Sequence, residues 1–414
     1  MSNSHSSTFT QTLSPVKING VIQPYAWGGY SFIPTLTGTP SSGEIPSAEL
    51  WMGAHPKGPA TLAKDESQTL EAFIGQAPEE MLGTSVAGKF DNRLPYLFKV
   101  LDVKDMLSIQ AHPSKKAAEE GFAREEAAGI SRMAPHRNFR DDNHKPEIMV
   151  ALTEFWLLHG FRSEAQILDL MDEVPEFSSL RSYFENGDYK NLYRHLMEMP
   201  QEEVDALLQP LIQRITPAYE AGNLKKSHPD FWAARAAATF SPKTGKYDRG
   251  IFSVYFFNLV NIPVGQAIFQ DAGIPHAYLE GVNMELMANS DNVLRGGLTP
   301  KHIDVPELLN HLIFEAVHPK VLAGEQVSQA EWVYKSPAPD FELSCIQLSQ
   351  GIAYDSVKGH SADTVIVMEG SAVLQSKGEE TPLKRGDIFF APANMAYRIV
   401  ASGEATLYRA TVPI

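Results

Sequence analysis

At 414 residues, with 43% hydrophobic and 21% charged side chains, the chain has the composition of a globular protein long enough for two or three domains. Its formal net charge of −15 excludes the basic surface that nucleic acid demands, yet permits a small anion held by a few cations focused in a cleft. No apolar run approaches the ~18 residues of a membrane span, and the single cysteine, Cys345, excludes an internal disulfide and a cysteine-based metal cluster, as suits a cytoplasmic protein.

In chain order, the polar start MSNSHSSTFTQT lacks a signal-peptide pattern, and a disordered tail is expected over 1–15. INGVIQPYAWGGY then offers a short strand and an aromatic, glycine-punctuated turn, with Trp27 either a core anchor or a pocket wall. Ala48–Ala60 has the texture of short strands, and its His55 is taken as structural. Asn92–Met106 is an apolar, β-branched and aromatic run expected as a buried strand, in which Lys99 must either snorkel to an edge or point into a polar pocket. The next strand carries Ser108, Gln110 and His112 at alternate positions, which puts them on one face. Ser114 is a plausible N-cap for the helix that follows, and His144, Lys145 and Glu147 then bring a base, a cation and an acid together.

Residues 155–245 show helical periodicity, with a capping-box pattern at Ser163–Gln166, and are expected as a helical insertion. Strands are expected again over Gly250–Ile262 and through PVGQAIFQDAGIPHAYLEG, which presents His276. In VNMELMANSDNVLRGGLTPKHID, Glu285 faces opposite Met284 and Leu286, and Asp291, Arg295 and Lys301 follow on a glycine-rich loop able to close over a pocket. From about Val321, short strands with frequent turns suggest a small sandwich or barrel. His276 lies eleven positions after Gly265, and Tyr397 eleven after Gly386, in similar surroundings. This echo suggests a duplicated β-barrel unit whose second copy has lost its metal histidine.

Gln110, His112, Glu147 and His276 therefore form a candidate ligand set. Two imidazoles, a carboxylate and an amide oxygen suit a borderline divalent ion, with zinc ahead of manganese or iron. A neutral glutamine in place of a second anion leaves the site net positive, which favours binding an oxyanion.

The segments Tyr25–Gly28, Ala48–Pro56, Leu94–Leu101, Leu107–Pro113, Asp141–Glu147, Gly273–Tyr278 and Met287–Lys301 together resemble the type I mannose-6-phosphate isomerases of the cupin superfamily. The likeness runs from about Val16 to Pro306 and more weakly beyond, with a departure at Ala54. It implies a mainly β fold with an α insertion: two cupin-type jelly-roll barrels plus a helical domain. The expected division is a catalytic barrel over 16–154 and 246–320, the helical insertion over 155–245, and a degenerate barrel over 321–414. It also implies one zinc ion on Gln110, His112, Glu147 and His276, and a catalytic Arg295. The activity implied is the interconversion of mannose 6-phosphate and fructose 6-phosphate through a cis-enediol, in mannose metabolism and the supply of GDP-mannose precursors.

On that reading Glu285 is the first choice of acid/base, with Asp291 and His144 behind it, and Lys145 is counted both with the catalytic residues and as a phosphate or hydroxyl contact. Lys99, Ser108, His144 and Lys301 are candidate substrate contacts, and Trp27 is a wall. The expected partner is a small sugar phosphate, with neither nucleic acid nor membrane, for a chain acting as a monomer. The alternatives are a non-enzymatic sugar-phosphate-binding cupin and an iron-dependent oxygenase; Gln110 counts against the latter.

Overall fold

The computed structural model describes residues 13–41, 43–241, 245–356 and 359–413. The tail expected over 1–15 lies outside this range up to residue 12. The fold is mainly β with helices, as expected.

The first lobe is organised by one long strand, His276–Ala288. Up to Glu280 it pairs with Phe155–Phe161 and, at His276, with Ile109–Ala111. From Gly281 onward it lies between Tyr96–Val103 and Glu147–Ala151. Gly281 sits at φ 129°, and a Cβ there would come within 2.6 Å of the Glu154 carbonyl oxygen, so only glycine fits at this change of partners.

Past this corner, alternation sends the two faces to different surroundings. Leu50, Met52, Phe98, Val100, Ile148, Val150, Met284 and Leu286 pack outward in one cluster with Ile366, Ile388, Phe390 and Tyr408 of the second lobe. The opposite face carries Trp51, Lys99, Glu147 and Glu285 inward. All eight residues of Tyr96–Val103 are buried, so Lys99 does not reach out at an edge.

The second lobe combines a long antiparallel sheet with a four-stranded one over the clustered side chains of Ile346, Val365, Val367, Phe389 and Leu407. The long sheet recruits residues from the far end of the chain. Val16–Asn19 pairs with Ile388–Ala391, and Thr61–Leu62 and Asp65–Thr69 extend the same edge. Residues within the expected 16–154 segment thus hydrogen-bond into the C-terminal sheet.

Helices Glu164–Glu173, Tyr189–Glu198, Gln201–Glu220 and Pro229–Phe240 cover the outside of the first lobe, where Trp232 joins a core with Trp156, Leu158 and Ala277. Ser163 and Gln166 form the expected capping box, and Ser114 caps the helix Lys115–Ala127. Three expectations are corrected: Phe155–Phe161, at the start of the stretch expected to be helical, is a strand; Leu294–Gly297, expected as loop, is a strand that carries Arg295; and Gly250–Phe256 is a helix, with the strand beginning only at Phe257. All seven residues of that helix are buried, so the run shows no periodicity to separate helix from strand. Tertiary contacts decide instead. Asp248 Oδ1 accepts from the Gly250 N–H (2.7 Å) at the helix start, and Phe177 packs on the rings of Phe252, Tyr255 and Phe256.

Candidate active site

Three strands meet in register at the floor of the first lobe. Gln110 lies directly opposite His276 on one side and Arg295 on the other. Opposed residues of antiparallel strands share a face, so an amide, an imidazole and a guanidinium stand in one row. Glu147, opposite Met287 and Gln270, enters from the neighbouring strands, and His112 follows immediately after Ile109–Ala111.

His112, Glu147 and His276 are all buried and can each offer one ligand atom within 4.8 Å of the others. His112 Nδ1 donates to the Asn292 carbonyl (2.8 Å) and His276 Nδ1 to the Ile274 carbonyl (2.9 Å). A carbonyl oxygen can only accept, so each ring carries its proton on Nδ1 and presents a lone pair on Nε2. Both Nε2 atoms, and Glu147 Oε2, are buried without a hydrogen-bond partner among the described residues. Orphaned acceptors converging this closely destabilise a fold unless a cation joins them, so the donor set fits a divalent metal.

Burial and the neighbouring cations push the His112 pKa down to about 4, leaving it neutral, although Glu147 pulls the other way. Burial alone would raise the Glu147 carboxyl; Lys145 and the imidazoles together hold it well below the usual carboxylate range. Lys145 Nζ lies 3.1 Å from Glu147 Oε1.

Beside this centre, Lys99 pairs with Glu285, opposite which it stands in register, and its Nζ is 3.9 Å from Glu49 Oε2. Tyr278 donates to Glu285 Oε1 (2.8 Å), and the Trp51 indole N–H donates to Glu49. Burial works against the charge on Lys99, but Glu285 and Glu49 outweigh it and raise its pKa, so the ammonium stays protonated. Burial raises Glu285, with Lys99 opposing.

Above the floor opens a cleft of about 840 Å³, lined by Trp27, Lys99, Ser108, Gln110, Lys145, Asp291, Arg295 and Lys301 among others. Eight of the residues singled out in the sequence thus share one cavity. His112, Glu147, His276 and Glu285 are not in the lining and sit beneath it. His144 is outside the lining too; its Nε2 meets Asp340 Oδ2 of the second lobe at 2.8 Å.

Among the lining residues not picked out as site residues are Arg140, Lys57, Glu49 and His55, the last having been taken as structural. Lys57 pairs with Asp291 at 2.7 Å. Arg140, Arg295 and Lys301 have no carboxylate partner among the described residues. Burial and mutual repulsion lower the pKa values of Arg295 and Lys301, with Arg140 acting on both. Three uncompensated cations in a chain of net charge −15 mark a site built for an anion.

The profile described as "Phosphomannose isomerase type I, catalytic domain" matches residues 16–164. Mannose-6-phosphate isomerase of Salmonella typhimurium is 38% identical over 403 residues, covering 95% of this chain and 98% of that protein. This chain belongs to the type I phosphomannose isomerases. The corresponding enzyme of Escherichia coli is 37% identical over 386 residues, spanning 91% of this chain and 95% of its own length. Among solved structures, the Salmonella typhimurium isomerase bound to substrate (f6p) and zinc superposes with a TM-score of 0.85 at 34% identity, covering 97% of this chain and all of that one. Isomerase family and ligand chemistry agree, since a buried His/Glu/His donor set lies beside an anion-attracting cleft. Among the described residues, no helix is long and apolar enough to cross a membrane.

Proposed function

We propose that this chain is a zinc-dependent aldose–ketose isomerase that interconverts D-mannose 6-phosphate and D-fructose 6-phosphate through a cis-enediol, acting as a monomer in mannose metabolism. The observation that carries the reading is the placement of three orphaned ligand atoms, His112 Nε2, Glu147 Oε2 and His276 Nε2, beside a cleft with three cations that have no carboxylate partner among the described residues.

One zinc ion would be held by these residues with Gln110, and when bound it supplies Lewis-acid polarisation of the sugar's carbonyl oxygen. The remaining steps fall to side chains. Lys301 and Arg140 bind the phosphate, with the Ser108 hydroxyl as a further donor. Arg295, in the same row as Gln110, stabilises negative charge developing on the enediol oxygens. Trp27, stacked on Tyr25 with ring centroids 5.9 Å apart, walls the sugar's apolar face.

For proton transfer between C2 and C1 the geometry favours Asp291 over Glu285. A base must reach the proton it removes, and Asp291 lines the cleft while Glu285 lies below it. Burial raises the Asp291 carboxyl, but Lys57 and His55 together bring it below its usual range, so it is ionised at neutral pH. Glu285 acts through Lys99, keeping that ammonium charged towards a substrate hydroxyl, and Lys145 supplies a second cation beside the reacting carbons.

The test is to add mannose 6-phosphate to zinc-loaded protein and follow fructose 6-phosphate with and without a chelator. Turnover that stops on chelation and returns with zinc is expected. Binding of the sugar phosphate without turnover would overturn the proposal in favour of a non-enzymatic binding protein.

A further inference from the structure

Asn292 is fully buried and bonded on every side, yet it has no place in the chemistry above. Its backbone carbonyl accepts a hydrogen bond from the His112 Nδ1–H (2.8 Å). Its side-chain Oδ1 accepts the backbone N–H groups of Arg140 (2.7 Å) and Asp141 (3.3 Å). Its Nδ2 donates to the carbonyls of Asp141 (2.8 Å) and Asn143 (2.9 Å). An amide offers two acceptor lone pairs and two N–H donors, so this side chain is saturated by one loop. That loop carries Arg140 at one end and leads to Lys145 and Glu147 at the other.

Asp141 returns the connection. Its carboxylate accepts from the Asp291 N–H (2.7 Å) and the Ser290 hydroxyl (2.7 Å), so the segments around 141 and 291 are cross-braced in both directions. We propose that Asn292 is a positioning residue that couples the two ends of the cleft. Its carbonyl selects the His112 tautomer that leaves Nε2 free for metal, while its side chain sets where Arg140 stands to meet the anion. The inference rests on the isomerase reading for the identity of that anion, but its metal half does not depend on it.

A residue acting only as packing would lower stability and nothing else. Both substitutions keep the carbonyl of residue 292 but take away side-chain bonds that hold it in place, and loss of such support behind a metal ligand typically costs about 10–100-fold in metal affinity. The holoenzyme and these two variants, Asn292→Ala and the near-isosteric Asn292→Asp, are compared for zinc affinity by chelator competition, for kcat and KM with mannose 6-phosphate, and for thermal midpoint. Asp keeps the acceptor but sets an oxygen against the carbonyls of Asp141 and Asn143. Ser361→Ala is the control: it removes a buried brace to Val412 in the second lobe and touches nothing in the cleft.

Zinc affinity is expected to fall about 10–100-fold in the Asn292 variants, with KM raised and kcat lowered together. Ser361→Ala should lose thermal stability with zinc affinity and kinetics unchanged. If Asn292→Ala fails to fold, Asn292→Asp decides. A folded Asn292 variant with wild-type zinc affinity and wild-type kcat and KM would overturn the proposal. Wild-type protein that binds zinc but does not isomerise would sink the functional reading, while the zinc measurement still decides the coupling.

Discussion

The two β lobes bury charge in opposite ways. In the second lobe Arg409 is surrounded: its guanidinium bonds Glu331 Oε1 and Asp363 Oδ1, each at 3.1 Å, while Tyr397 and Ser344 donate to those same carboxyl groups. Every charge has its counter-charge, and the space around them is filled by Val365, Phe389 and Leu407. In the first lobe, His112, His276 and Glu147 leave acceptors facing one another, and Arg140, Arg295 and Lys301 have no carboxylate partner among the described residues. A satisfied ionic cluster specifies a fold; an unsatisfied one of this kind waits for a ligand. Burial alone would not have told the lobes apart.

Breaking the contrast starts with the cleft. Asp291→Asn should lower kcat by about 10²–10⁴-fold, the usual worth of a general base, with KM changed only a few-fold. A kcat close to wild type would remove Asp291 from the chemistry. A smaller effect is expected at the anion end. Lys301→Ala deletes one charge-assisted contact of about 1.5–3 kcal/mol, so KM for mannose 6-phosphate should rise about 10–100-fold with kcat nearly constant. An unchanged KM would place the phosphate elsewhere. The smallest catalytic effect belongs to the second lobe. Arg409→Met strands two buried carboxylates and should cost about 3–5 kcal/mol of stability, seen as a lowered denaturant midpoint. Its kcat, KM and zinc content should match wild type, and a change in any of them would mean that the lobes are not separable in function.

Much of the first lobe was legible because its residue types are unusual for their settings. A lysine inside the apolar run Asn92–Met106, a glutamate between Met284 and Leu286, and two histidines beside prolines each needed an explanation, and each lies at or beneath the cleft. What could not be read depended on contacts between distant segments. Arg140 sits in a loop whose path is set by Asn292, some 150 positions later, and by the buried pair Arg137–Glu125 at 2.8 Å. His144 has the sequence surroundings of a site residue, but Asp340 draws it towards the second lobe. Gly250–Phe256 carries strand-forming residues into a helix because its environment is apolar on all sides.

The pairing of Val16–Asn19 with Ile388–Ala391 also constrains how the protein comes into being. Lys17 and Asp387, which bond across that pairing, are separated by 370 positions, and at about 5–20 residues per second some 20–75 s of synthesis pass between them. Throughout that interval Val16–Asn19, which has Thr61–Leu62 along one edge, keeps its other edge unpaired, and the outward face of the first lobe lacks the surface that will cover it. A nascent chain in this state exposes both an open strand edge and apolar side chains, the two features that invite association with other chains. Completion of the second lobe thus closes both the open edge and the apolar face at once.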